Sequence, residues 1–356
     1  MKKKFNVIDL FSGCGGFSYG LQQSNYSILL GVDNSEIALS TFKLNHDKSE
    51  ILNIDLYKDN SINDIVNNLN GEKVDVVVAG PPCQGFSLTG TRKKSDKRNT
   101  LFNSVFRLSK KVNPQAIIIE NVPGIINLYG GAVKNEILKY CNEMGYSCSY
   151  KILYAPDFGI PQIRKRAFFV MLRGKKNKFI FPEASHTPEQ YVTCKDAIGD
   201  LPSLTNSLGS ENSEYLQPPF SSYQKKMRKK NKTLTNHIGT KHTDHVVDVI
   251  SQVPEGGNHK DLPPGVGDSR KFNEAWTRYH SQKPSKTIDT GHRNHFHYKW
   301  NRVPSVRENA RLQSFPDCFK FLGNKTQQYR QVGNAVPPIL GKVLGDELLN
   351  FLKLND

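Results

Sequence analysis

The sequence predicts an α/β protein: an open, mostly parallel sheet with a second, smaller domain inserted late in the chain. Short runs rich in β-branched residues, FNVIDL (5–10), SILLGVD (27–33), VDVVVAG (74–80), AIIIENV (116–122) and RAFFVMLR (166–173), alternate with stretches whose apolar residues recur at helical spacing. A glycine-rich turn, FSGCGGFSYG (11–20), stands directly after the first of these runs. From about Phe181 the texture changes: Pro, Ser, Asn, His and Gly become frequent and strand-like alternation fades.

Each element follows from its pattern. The strand runs are nearly continuous in apolar character, as expected of strands buried on both faces in a parallel sheet. Between them, IALSTFKLN (37–45), INDIVNNL (62–69), LFNSVFRLSKKV (101–112) and VKNEILKYCNEMG (133–145) read as amphipathic helices. That alternation is the mark of an open α/β sheet. Apolar helical pattern returns in PPILGKVLGDELLNFL (337–352), a helix expected to dock back on the first domain. The expected division is 1–184 for the main domain, 185–325 for the insert and hinge, and 326–356 for the returning segment. Within the insert, KKMRKKNK (225–232) reads as a solvated surface face or as a set of phosphate contacts.

The 356 residues include 49 Lys and Arg against 33 Asp and Glu, a net charge of +16 that favours a polyanionic partner such as nucleic acid. The excess is spread along the chain, which suggests a basic face rather than a tail. The six cysteines, at 14, 83, 141, 148, 194 and 318, form no C-x-x-C pair and no disulfide framework, so reduced thiols in a cytosolic protein are expected. The apolar runs are of strand length and the opening MKKKFNVIDLF reaches Asp9 early, so neither secretion nor membrane insertion is expected. No histidine stands at zinc-ligand spacing from a cysteine, and His292, His295 and His297 are read as no metal site.

Chemistry-bearing residues cluster at the ends of the strand runs. The first turn would let a ligand approach the backbone at a helix amino end, and Asp33 follows about 20 residues on, a position suited to a ribose hydroxyl. Asp55 ends a possible further strand. In GPPCQGFS (80–87), two prolines fix φ near about −65° and stiffen the approach to Cys83. Glu120, in ENVPG, ends the next strand, so Cys83 and Glu120 face a common crevice. In QIRKRAFFV (162–170), Gln162, Arg164 and Arg166 alternate with period two and share one face if the stretch is extended. A charged edge strand would carry the same pattern.

Taken together, GPPCQGFS, ENVPG, QIRKRAFFV, DLFSGCGGFS, RENARLQSFPD (307–317) and GNAVPP (333–338) resemble, in order and approximate spacing, the motifs of the cytosine C5 DNA methyltransferases. The resemblance covers residues 5 to about 175 and about 284 to 350, with a variable segment between. It implies the sheet of an S-adenosylmethionine-dependent methyltransferase, with the insert as a target-recognition domain. It implies Cys83 as the nucleophile, Glu120 as the group on N3 and the exocyclic amine of the base, and Arg164 and Arg166 on the base carbonyl or its phosphate. For S-adenosyl-L-methionine it implies Phe11, Gly13, Gly15, Gly16 and Phe17 in the first turn, Asp33 on the ribose and Asp55 near the adenine amine. Gly80 and Pro82 complete the cofactor set, with Asn334 near its amino-acid end. The run GTRKKSDKRNT (90–100) corresponds to a loop that closes over DNA, and the target cytosine would be flipped out of the duplex.

The expected partner is double-stranded DNA, with a cognate restriction endonuclease acting on the same site without a stable complex. A monomer in the bacterial cytoplasm is expected. In the insert, NHIGTKHTDH (236–245) and DTGHRNHFHYKW (289–300) carry side chains able to read base edges. Rival readings are a tRNA cytosine methyltransferase of the same superfamily, a catalytically inactive DNA-binding regulator, and a nicotinamide dehydrogenase suggested by the first turn alone.

Overall fold

The computed structural model describes residues 4–82, 101–266, 276–291 and 294–354. Cys83, the 90–100 run and His292 lie outside the described residues. The described chain forms two compact units. The first comprises Met1–Tyr154, Lys165–Glu183 and Pro338–Asp356; the second comprises Ala155–Arg164 and Ala184–Pro337.

The first unit is built on a seven-stranded sheet. Its strands are β1 (Phe5–Leu10), β2 (Tyr26–Asp33), β3 (Glu50–Asn53), β4 (Val76–Ala79), β5 (Ala116–Asn121), β6 (Tyr146–Tyr154) and β7 (Lys165–Arg173), in the order β3-β2-β1-β4-β5-β7-β6. Pairing is parallel from β3 to β5, while β7 runs antiparallel to both β5 and β6. Between the strands lie α1 (Gly16–Gln22), α2 (Glu36–Asn45), α3 (Ser61–Asn68), α4 (Phe102–Val112) and α5 (Ala132–Glu143). Val76–Ala79 is wholly buried, as the unbroken apolar run requires. Leu30, Val32, Val77, Ile117, Ile119 and Phe169 join the apolar faces of α3, α4 and α5 in one core.

The C-terminal helix α11 (Pro338–Leu354) lies against α1, and small residues set how close the two come. A β-carbon on Gly20 would collide with the Pro338 carbonyl, and one on Gly341 would stand 2.8 Å from the Phe17 carbonyl. The Tyr26 hydroxyl donates to the Gly345 carbonyl at 2.9 Å, which ties the returning helix to β2.

The second unit contains α6 (Cys194–Ile198), the strand pair β8 (Asn212–Glu214) and β9 (Thr233–Thr235), α7 (Ser222–Arg228) and α8 (Asp244–Gln252). A parallel pair β10 (Thr277–Arg278) and β11 (His295–Phe296), then α9 (Val306–Leu312) and α10 (Lys325–Asn334), complete it. With so little sheet to satisfy its backbone, buried arginines take over as donors. Arg307 gives hydrogen bonds to the carbonyls of Thr235, Pro316 and Phe319, and Arg278 to those of Val253 and His297. Part of the basic composition is therefore internal rather than displayed.

The unit boundaries differ from the expected ones at two places. Ala155–Arg164 belongs to the second unit, because Ile163 donates to the Ser285 carbonyl and Ser285 to the Pro161 carbonyl, stitching this loop to the 285 segment. The chain returns to the first unit at Pro338 rather than at 326, because α10 packs within the second unit: Gly333 sits so close to the Asp289 and Thr290 backbone that a β-carbon would not fit.

Candidate functional site

The site forms where the sheet changes direction. From β1 the chain builds outward through β2 and β3, then crosses back to continue through β4 and β5 on the other side. At such a switch point the carboxyl ends of the flanking strands border an open crevice. Leu10, Asp33, Ala79 and Asn121 end the four strands concerned, so the turns after them share that end of the sheet.

Glu120 and Arg166 meet there for a reason of register. Glu120 is paired with Phe168 across the antiparallel β5–β7 ladder, so Arg166, two residues before Phe168, projects from the same face one step along the diagonal. The Arg166 Nε donates to Glu120 Oε1 at 2.9 Å, and the two side chains are 15% and 12% exposed. A second guanidinium nitrogen, Nη1, donates to the Lys165 carbonyl at 2.7 Å and fixes the plane of the group. The result is a nearly buried, oriented carboxylate that still reaches solvent.

The segment leading to Cys83 passes directly over this pair. Gly80 donates to the Leu10 carbonyl at 3.2 Å, and a β-carbon on Gly80 would lie 3.7 Å from Glu120 Oε2. Asn121, beside Glu120, is buried; its Nδ2 donates to the Pro81 carbonyl at 3.2 Å while its Oδ1 accepts from the Val122 N–H at 2.8 Å. It thus holds the proline segment to the end of β5. Sequence reasoning passed over Asn121, although an amide between a site carboxylate and a turn proline was visible in ENVPG. Pro82 is exposed.

The first turn offers a cradle. Phe11, Ser12 and Gly13 are half-exposed, and Phe11 and Gly13 take left-handed backbone angles of φ 57° and 53°. No atom lies within 4 Å of the place a Gly13 β-carbon would occupy, so the glycine leaves room for a ligand to meet the backbone. Gly15 is needed on two counts: its φ is 90°, and a β-carbon would strike the His46 ring, which reaches the Gly15 carbonyl through Nε2 at 3.2 Å. Burial pushes His46 down to about 4, so it stays neutral there.

Asp33 accepts the Gly13 N–H and the Ser35 N–H, one on each oxygen, both at 2.9 Å. The carboxylate retains acceptor capacity for a hydroxyl. Burial raises its pKa, opposed by the N–H donors of Gly13, Ser35 and Asn34. Asp55, half-exposed just past β3, accepts the Tyr57 N–H at 3.0 Å. Asn334 is exposed at the end of α10 in the second unit. Cys14, in the same turn, is buried and its thiol is pushed up to about 12 by burial, so it is no nucleophile.

Three groups of candidate residues are held by other parts of the chain. Arg164 is 2% exposed and lies in the second unit, where it donates to the carbonyls of Ile288, Gly333 and Ala335. With Gln162, whose Oε1 accepts from Ile288 and whose Nε2 donates to the Leu312 carbonyl, it is a clasp joining separate loops. Phe17 is buried with its ring edge-on to Phe168, and Gly16 is buried at the start of α1. In the insert, Asn236, His237, His295 and His297 are buried, so they are not base readers in this arrangement. His237 spans the Ser305 hydroxyl and the Pro202 carbonyl, and the His297 Nδ1 accepts from the N–H groups of Lys299 and Trp300. Among the described residues no group of His, Cys, Asp or Glu could hold a metal ion.

Beneath the turn lies a carboxylate that the sequence reading did not single out. Asp9 is buried and accepts a 2.6 Å hydrogen bond from Ser18; burial, with a smaller push from Asp33, raises its pKa to about 7. The signal was an acid in the second-last place of a buried strand. Because the folded pKa lies above the unfolded one, the stability this group supports is complete in acid and is lost as pH rises through about 7, by at most about 4 kcal/mol. Asp9→Asn should therefore gain stability relative to the parent between pH 5 and pH 8, measured by thermal melting. A difference that does not vary with pH would rule this out.

No helix among the described residues is long and apolar enough to cross a membrane. The family model for C-5 cytosine-specific DNA methylase matches residues 5–350. The type II methyltransferase M1.HphI of Haemophilus parahaemolyticus is 38% identical over 97% of this chain and 86% of its own length. The type II methyltransferase M.DdeI of Desulfomicrobium norvegicum is 32% identical over 96% of this chain and 88% of its own. Among solved structures, a prophage-encoded protein of E. coli assigned as a DNA modification methyltransferase superposes with a TM-score of 0.81 at 27% identity, covering 98% of this chain and all of its own. With the crevice, its oriented carboxylate and the glycine cradle in place, the match over nearly the whole length settles the family: the chain belongs to the C-5 cytosine-specific DNA methylases and is a DNA cytosine methyltransferase.

Proposed function

We propose that this methyltransferase modifies C5 of a cytosine flipped out of duplex DNA, through a transient bond from Cys83, and that it serves as the modification enzyme of a type II restriction system. The observation that carries the chemistry is the Glu120–Arg166 pair beneath the Gly80–Pro82 segment. An ordinary cytosine C5 is too weak a nucleophile to take a methyl group. Addition of the Cys83 thiolate to C6 places an electron pair on C5 and makes it enamine-like. Glu120 hydrogen-bonds N3 and the exocyclic amine, which draws electron density from C6 and favours that addition. Arg166 holds Glu120 and lies where it can balance charge on the base carbonyl. Once C5 carries the methyl group, loss of its proton expels the thiolate and restores the ring.

The cradle suits S-adenosylmethionine: Gly13 leaves a space that a side chain would fill, and Asp33 is a half-exposed acceptor suited to a hydroxyl. When bound, that cofactor supplies the methyl group as an electrophilic sulfonium. Phe11 and Asp55 border the same end of the sheet, for the adenine. The second unit is assigned target recognition, and the role in a restriction system in a bacterial cytoplasm is supported by relatives named type II methyltransferases.

Bisulfite sequencing of DNA from cells expressing the chain tests this reading. Full modification of one cytosine within one short sequence is expected; DNA left unmodified throughout would defeat it.

A further inference from the structure

We infer that the lysine face of α7 and the turn after it grips phosphates of duplex DNA beside the recognition sequence. This rests on the assignment of target recognition to the second unit. In KKMRKKNK, Lys225, Lys226, Lys229, Lys230 and Lys232 are all exposed, while Met227 and Arg228 are buried. No Asp or Glu occurs from 215 to 243. Of the acids packed near α7, Asp200 and Asp317 are fully buried and paired with Arg228 and Arg311, and Glu214 lies opposite Thr233.

The platform beneath them is firmly held. Arg228 donates through Nε to Asp200 at 2.7 Å, the Tyr223 hydroxyl donates to the Arg311 carbonyl at 2.6 Å, and Asp317 N–H donates to the Met227 carbonyl at 2.9 Å. At the helix end Lys229 takes φ 49°, a conformation usually given to glycine, and Asn231 closes the turn by donating to the Thr233 carbonyl at 2.6 Å. Positive charge concentrated on a rigid base attracts a polyanion. Lysine offers a flexible point charge rather than the planar fork that reads guanine, so the ligand is the phosphate backbone and not base edges.

The test uses the full chain with all five lysines changed to glutamine, and a second version with all five changed to arginine. Binding of a fluorescein-labelled duplex of roughly 40 bp and arbitrary sequence is followed by anisotropy across a salt series. For the glutamine variant, the slope of log affinity against log salt should become shallower by about 3 to 5, with an affinity loss of at least about 10-fold near 0.1 M salt. The arginine variant should bind as the parent does, and both variants should melt within a few degrees of the parent. An unchanged slope in the glutamine variant overturns the inference, as does weakened binding confined to an RNA hairpin of similar length. If the parent methylates no DNA, the functional reading falls, while the slope comparison still decides the lysine face.

Discussion

Arg166→Ala should lower methyl transfer by about 100- to 1000-fold while melting within a few degrees of the parent. Arg164→Ala should do the reverse. The two arginines are two residues apart in QIRKR and alike in sequence, yet their surroundings differ in kind. Arg166 is partly exposed and its Nε meets Glu120, so its loss releases the carboxylate that should orient the base. Arg164 is buried with its Nη groups on three backbone carbonyls. Removing it leaves those acceptors without their donor, at about 1 to 3 kcal/mol for each that stays dry. Steady-state kinetics at saturating DNA, together with thermal melts of both variants, separate the roles. Equal loss of activity in two variants of parental stability would show that Arg164 also acts on substrate.

Arg311→Leu carries the largest expected effect on stability. Arg311 is fully buried between two buried acids: Nη1 meets Asp200 Oδ1 at 2.5 Å, while Nε and Nη2 meet the two oxygens of Asp317 at 2.8 and 2.7 Å. Burial alone would raise Asp317, but Arg311 and then Arg307 hold it at about 2. Deleting the cation takes from buried Asp317 its guanidinium fork and leaves Asp200 to Arg228 alone, a loss of about 3 to 5 kcal/mol. Both tryptophans, Trp276 and Trp300, lie in the second unit, so their fluorescence during urea unfolding reports on that unit. The midpoint should fall sharply for Arg311→Leu, and less for Arg311→Lys, which keeps the charge but loses the fork. A midpoint within experimental error of the parent would mean that the network contributes nothing net.

What could be read from the chain followed the physics that is local. Buried parallel strands announce themselves as unbroken apolar runs, so β1, β2, β4, β5 and β7 were legible, as were the helices between them. The edge strand β6 was not: YSCSYKILY mixes polar and apolar residues because much of it is half-exposed or exposed. The antiparallel insertion of β7 between β5 and β6 was also beyond reach, and it is this pairing that sets Arg166 rather than Arg164 beside Glu120. A period of two says that both arginines share a face; it does not say where the chain leaves one compact unit for the other, and that happens between them. The histidines and Asn236 of the insert were ambiguous for a related reason. In a region with little sheet, polar side chains substitute for ladder hydrogen bonds, as when Asn236 both accepts from the Phe321 N–H and donates to its carbonyl. Composition could not distinguish such internal use from display to DNA.

The proposed chemistry stands on a sulfur–carbon bond between Cys83 and the target base. Duplex DNA carrying 5-fluorocytosine blocks the last step, because fluorine in place of the C5 proton cannot be removed. With S-adenosylmethionine present, the enzyme should remain attached to that DNA through denaturing electrophoresis. Peptide mass spectrometry should locate the attachment on Cys83, and Cys83→Ser should give neither the complex nor methyl transfer. Attachment at another residue, or methylation by Cys83→Ser at the parental rate, would contradict the mechanism.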